Sequence, residues 1–252
     1  MNRIGKNGVV YSSNFSEVGP VDNLIAYWPL DGHLQDYSNY DSTLTNSGAS
    51  VATGVNGKQC YNFSSGDEMY VLAADFAPAI TTKISVSMWI NQTSASGYDT
   101  LLHGNTTGAW TSAFWLATNG TTEMRWSVDN NSSTYDFVHG MTLGTWNHVA
   151  ATYDGTLGAG ENHSKVYING VSKYEFINNK GTINSLSGVN IGKDGVASYP
   201  YIGSIQDVRI YNDVLTPAEI EILANRFDSN VSDGARSQLA NTAWYTFGEF
   251  KE

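Results

Sequence analysis

The sequence predicts an all-β protein, a sandwich of two antiparallel sheets with one short helix near its C-terminal end. Three observations carry this. Charged residues are only 15% of the 252, while aromatic residues reach 12% and glycine outnumbers proline 25 to 5; an average soluble domain has roughly 25% charge, and aromatic, Thr- and Val-containing runs suit pleated, half-buried surfaces. Short alternating runs recur between Gly, Asn, Asp and Ser turns, without the intervening helical patterns of a parallel sheet. One helix start is signalled, at Thr216-Pro217-Ala218-Glu219, a capping box with proline at the first helical position.

The elements follow in order. Residues 1–22 read as a polar N-terminal arm, residues 23–227 as one domain, and residues 228–252 as a C-terminal arm ending in an aromatic stretch. Within the domain, Ile84, Val86, Met88 and Ile90 fall on one face of a strand, because the side-chain repeat is two. Phe114–Leu116 and Met124–Val128 are expected to pair through Asn119-Gly120. Trp146 to Tyr153 reads as the next strand. Lys165–Ile168 and Val171–Phe176 flank Asn169-Gly170, a dipeptide that supplies the positive φ angles of a two-residue hairpin turn. After the capping box, Ile220, Leu223, Ala224 and Phe227 form a stripe that should lie on the sandwich.

Composition excludes several classes of function. The net charge is −11, from 24 acidic and 13 basic residues with no Lys/Arg run, so the positive footprint that phosphate backbones require is missing and nucleic acid is not an expected partner. No stretch approaches the ~18 apolar residues of a spanning helix, and no membrane insertion is expected. The one cysteine, Cys60, allows no internal disulfide and reads as a small buried hydrophobe. The first residues lack the apolar core of a secretory leader. The resulting expectation is a protein that stays in its cell or leaves it by another route.

Seven segments in order then carry a resemblance: LIAYWPLDGHLQDYS (24–38), GKQCYNFSSGDEMYVL (57–72), ISVSMWI (84–90), TWNHVAATYDG (145–155), KVYINGV (165–171), VNIGKDG (189–195) and YIGSIQDVRIYNDVLTPAEIEIL (201–223). Together they resemble the laminin-G-like, concanavalin A-like lectin–glucanase jelly rolls over roughly residues 23–227. The resemblance implies two sheets of about six or seven strands with one concave face. It fixes no activity, since such folds serve as sugar-binding modules, adhesion modules and spacers. It also implies a structural Ca²⁺ on the convex side, for which Asp31 and Asp207 match best, with Asp67 and Glu68 as a further cluster. Oxygen-rich loop sites of this kind suit a hard cation.

Catalysis finds little support. The glucanase relatives carry Glu-x-Asp-x-x-Glu on one strand, and this chain has no such motif; the acids nearest a central strand, Glu123 and Asp129, sit at its ends. The five histidines are scattered, and His148 reads as a structural imidazole. Sugar recognition needs aromatic faces and a few polar groups. Tyr98, Trp110, Tyr199 and Tyr201, with Asp99, Asn105 and Asn130, are the candidates. Trp28, Trp89, Trp126 and Trp146 read as core or sheet packing. Trp244, Tyr245, Phe247 and Phe250 are the candidate interface, because buried aromatics dominate interface energetics. The leading expectation is a non-enzymatic component of a virus or phage particle (a capsid decoration, fibre or tail protein). It would be anchored to other chains through its arms, with a lectin-like jelly roll open to host glycans. A free or extracellular carbohydrate-binding lectin is second, and a glycoside hydrolase third.

Overall fold

The computed structural model describes residues 19–76, 79–104, 113–129, 135–177, 180–186, 188–194 and 199–227, with backbone for 3–4 and 10–11. Arg3–Ile4 (β1) and Val10–Tyr11 (β2) form an antiparallel ribbon. The sandwich strands follow as Leu24–Trp28 (β3), Thr45–Ser47 (β4), Ser50–Thr53 (β5), Gln59–Phe63 (β6), Glu68–Leu72 (β7), Lys83–Ser94 (β8), Tyr98–His103 (β9), Phe114–Asn119 (β10) and Glu123–Val128 (β11). They continue as Tyr135–Val138 (β12), Asn147–Asp154 (β13), Ser164–Ile168 (β14), Val171–Phe176 (β15), Gly188–Ile191 (β16) and Ile202–Tyr211 (β17), before helix α1, Pro217–Ala224.

The strands make two antiparallel sheets. One has seven strands in the order β12-β11-β10-β9-β16-β7-β4; the other has eight, β15-β14-β13-β8-β17-β6-β5 with β3 added alongside β17. Between them lies a single core in which Ile84, Val86, Met88 and Ile90 of β8 face Phe114, Leu116, Met124, Trp126 and Val128 of β10 and β11. The expected pairing of β10 with β11 is present, with Phe114 opposite Val128 and Asn119 opposite Glu123.

The two outer faces differ. On the eight-stranded sheet, a second apolar cluster of Leu24, Tyr27, Ala150, Tyr167, Tyr211, Leu215, Ile220 and Leu223 packs α1 and the N-terminal strand against the sheet. The capping box is formed, Thr216 Oγ1 accepting from Glu219 N and Glu219 Oε2 accepting from Thr216 N. Trp89 donates to Leu223 O and sets its ring edge-on to Phe227. That covered face explains why β13 is buried on both sides. The outer face of the seven-stranded sheet has no helix over it among the described residues; Tyr70, Tyr98 and Trp115 are partly exposed there, while His103 and Asn190 are buried.

Asn169 and Gly170 have φ of 52° and 79°, the two positive values of a type I′ turn. A Cβ on Gly170 would come within 3.3 Å of Ala224. Gly170→Ala is therefore expected to cost about 1–2 kcal/mol through left-handed strain, read as a fall of several degrees in Tm.

Candidate functional site

Alternation builds the open face. In β10, Phe114 and Leu116 point into the core, so Trp115, Ala117 and Asn119 point outward. In β11 the same logic turns Glu123 and Arg125 outward. Register then aligns neighbours: Asn119 sits opposite Tyr98 of β9 and opposite Glu123, and Arg125 opposite Asp136 of β12. Ala117, small and central, lies between the Arg125 and Thr100 positions and leaves room for the arginine to reach across β10.

The result is an aromatic cluster bound to a polar network. Tyr98 and Trp115 have ring centroids 5.3 Å apart, and Tyr199 stands 5.7 Å from each, edge-on to Tyr98 and tilted by 34° to Trp115. Trp115 Nε1 donates to Thr100 Oγ1 at 3.0 Å, fixing the indole. The Arg125 guanidinium lies 4.2 Å from the Tyr98 centroid, a cation–π distance. Its Nε and Nη2 donate to the two Asp136 oxygens at 2.9 and 3.0 Å, the bidentate geometry that holds a guanidinium in one orientation. Tyr98 OH donates to Asp136 Oδ2 at 2.9 Å. This network raises the Tyr98 phenol's pKa, first by desolvation and then through Asp136.

Two carboxylates meet here. Asn119 Nδ2 lies 3.2 Å from both Glu123 Oε2 and Asp136 Oδ2, so those oxygens are at most about 6.4 Å apart. Glycosidases use carboxylates at comparable separations. Asp136, however, already accepts from Arg125 twice, from Tyr98 and from Asn119. An oxygen so fully engaged is a poor nucleophile or base.

The residues expected to bind sugar divide. Tyr98 and Tyr199 come together in the cluster. Tyr201 is a core residue, fully buried with its ring 6.4 Å from Phe63. Asp99 is 1% exposed and points inward, accepting from Gln92 Nε2 at 2.8 Å and Ser96 N at 3.3 Å; burial pushes its carboxyl up to about 6. Strand alternation explains Asp99, which follows the outward-facing Tyr98 in β9; Tyr201 lies just before β17, where its hydroxyl donates to Ser204 O. Asn105, Trp110 and Asn130 lie outside the described residues, as do Trp244, Tyr245, Phe247 and Phe250. Sequence reasoning missed Trp115, Asn119, Arg125 and Asp136, and weighed Glu123 only as a catalytic acid. The signal was an indole between Phe114 and Leu116, and an arginine between Met124 and Trp126, each out of phase with the core.

Three of the four carboxylates expected to hold calcium serve other partners. Asp207 is 2% exposed, and its Oδ1 lies 3.1 Å from Arg209 Nη2 and 3.4 Å from Arg226 Nη1, so a cation reaching it meets two guanidinium charges. It does lie on the face opposite Val208 and Ile210, but that face is the one α1 packs on. Asp67 Oδ2 accepts from Ser64 N, and Glu68 pairs with Lys193 and accepts from Asn190. Asp31 alone keeps a buried oxygen, Oδ1, without a hydrogen-bond partner. Among the described residues no three His, Cys, Asp or Glu gather as a metal-ligand set. His148 is fully buried, its Nε2 2.8 Å from Ser87 Oγ, and burial pulls its pKa down to about 3. Cys60 is fully buried too.

Sheet order, covered back and open front define a lectin-like sandwich. The chain belongs to the Laminin_G_3 family of the concanavalin A-like lectin/glucanases superfamily, whose model matches residues 63–221. No curated protein matches it. Among solved structures it is similar to domain 4 of AbnA, a GH43 extracellular arabinanase from Geobacillus stearothermophilus, in complex with arabinotriose. That similarity has a TM-score of 0.62 and 22% identity, covering 80% of this chain and 98% of the other. It is also similar to the receptor-binding domain of botulinum neurotoxin C/D mosaic serotype (TM-score 0.65, 19% identity, 82% of this chain and 52% of that one). A third likeness is to the binding domain of botulinum neurotoxin DC in complex with SialylT (0.61, 15%, 82% and 52%). The chain thus spans about half of the toxin chains, and identities this low speak for the fold alone.

Proposed function

We propose that this protein is a non-enzymatic carbohydrate-binding module that takes its glycan on the outer face of the seven-stranded sheet. The observation that carries this is the Tyr98–Trp115–Tyr199 cluster, partly exposed and ringed by Asn119, Glu123 and Arg125. Aromatic faces cover the apolar C–H side of a sugar ring, and oriented amide and carboxylate groups read its hydroxyls. The arabinotriose complex of AbnA domain 4 is consistent support from a protein of the same fold. Trp115→Ala is expected to weaken glycan binding at least tenfold in isothermal titration while Tm moves by only a few degrees. Unchanged binding would remove this face from consideration. A reducing-sugar assay on the bound glycan is expected to show no release, because Asp136 is saturated with donors.

A second reading, a module carried on a virus or phage particle, is favoured by the aromatic segment Trp244–Phe250 that lies beyond the family match at residue 221. Deletion of residues 228–252 would then convert an assembly to a monomer in size-exclusion chromatography. A monomer before and after deletion removes that reading.

A further inference from the structure

We infer that the open face takes an uncharged oligosaccharide of at least two rings, running across the strands from Trp115 to Tyr70; this rests on the carbohydrate-binding reading above. The register places Trp115 of β10 opposite His103 of β9, His103 opposite Asn190 of β16, and Asn190 opposite Tyr70 of β7. Directly opposed residues of antiparallel strands share a face. Met69, Val71, Val189, Ile191 and Leu102 fill the core on the other side, so this row lies on the outer face. Strands are spaced at about 4.8 Å, which puts Asn190 roughly 10 Å and Tyr70 roughly 14 Å from Trp115 along the row. A single sugar ring cannot touch both aromatic ends, whereas a short chain can.

The middle of the row supplies the polar contact. Asn190 is 3% exposed, and its Nδ2 donates to Glu68 Oε2 at 3.3 Å, but its Oδ1 is buried with no hydrogen-bond partner. A buried acceptor left unpaired is costly; His103 beside it is buried as well, so a ligand hydroxyl that satisfies this oxygen has to enter between the side chains around it. Partly exposed tyrosine and tryptophan at the two ends give the chain a surface to stack on at each side of that contact.

Charge decides the class of sugar. The seven-stranded sheet's own strands contain one cation, Arg125, and Asp136 holds it bidentately. Lys193, just after β16, lies 3.5 Å from Glu68. Glu123 adds a negative charge with no cationic partner among the described residues. A sialylated or uronic acid glycan would have to pull Arg125 from Asp136, against a chain of net charge −11 whose field repels anions. Hydroxyls require no such exchange.

The test compares neutral cello-, xylo-, manno- and arabino-oligosaccharides of one to six units with 3′-sialyllactose and oligogalacturonate, by isothermal titration at two salt concentrations. At least one neutral series is expected to bind, tightening tenfold or more between one and three units with no salt dependence. Tyr70→Ala and Asn190→Ala should each weaken the longer oligomers five- to twentyfold and leave monosaccharide binding within twofold. Preference for the acidic glycans, or neutral binding that ignores both length and Tyr70, overturns this inference and leaves the carbohydrate reading standing. Binding of no member of either class overturns both.

Discussion

Asp207→Asn is expected to lower stability by about 3–5 kcal/mol, the cost of breaking one side of a buried ion pair. Arg209 is fully buried, with Nη2 at 3.1 Å and Nε at 3.3 Å from Asp207 Oδ1 and its guanidinium 4.0 Å from the Tyr27 centroid. Burial alone would pull the Arg209 pKa down; Asp207, Tyr27 and Tyr211 outweigh it and hold the pKa above its usual value. Without the carboxylate, both guanidinium groups lose the counter-charge they share. Asparagine is the informative replacement because Asp207 has φ of 57°, a left-handed conformation that asparagine adopts cheaply. The loss therefore reports charge and not backbone strain. Urea unfolding should show a lower midpoint at unchanged slope. The double variant Asp207→Asn/Arg209→Met should recover part of the loss, since removing both charges leaves neither stranded. A single-variant loss under about 1 kcal/mol would mean that solvent reaches the pair.

Asp207 also shows where sequence reasoning ended. Its position in a strand was legible, and so was its separation from Val208 and Ile210. The pairing of β17 with β8 slips between Gln206 and Arg209, and Asp207 N donates to Pro29 O. This bulge re-aims the side chain, and its partners lie two and nineteen residues further on, across α1. Patterns local to one strand do not encode such contacts. The two-sheet fold was legible because core alternation repeats strand after strand: Ile84 to Ile90 and Met124 to Val128 each identify a buried face without knowledge of their neighbours. The open face was only half legible. Tyr98 could be suspected as an aromatic beside a turn, but Asp136 and Asn190 acquire meaning only through register with Arg125, Trp115 and Tyr70. Register across non-consecutive strands such as β9 and β16 is set by the whole sandwich.

Acid stability should expose two buried groups that oppose one another. His148, whose pKa burial pulls down to about 3, stays neutral in the folded protein while the unfolded chain takes up a proton near 6.5. Its contribution is present above pH 6.5 and is lost as pH falls toward 3. Asp99 acts in the other direction: its folded pKa is pushed up to about 6, above the ordinary carboxylate value near 3.9. The folded state then takes up the proton first, and stability rises as pH falls from 6 toward 4. Each tenfold difference in proton affinity between the folded and unfolded chain is worth about 1.4 kcal/mol. On that scale His148 removes about 3 kcal/mol between pH 7 and 4 while Asp99 restores about 2. Their combined effect in the wild type is thus a loss near 1 kcal/mol. Asp99→Asn keeps an acceptor for Gln92 and Ser96 and removes the compensation, so its acid-side loss relative to pH 7 should be about 2 kcal/mol larger than the wild type's. His148→Gln keeps a partner for Ser87 and removes the loss, so that variant should lose about 3 kcal/mol less than the wild type from pH 7 to 4. Other carboxylates titrate in all three proteins alike, and the differences between them isolate these two groups. Parallel pH profiles for wild type and both variants would show that neither group is held as its burial requires.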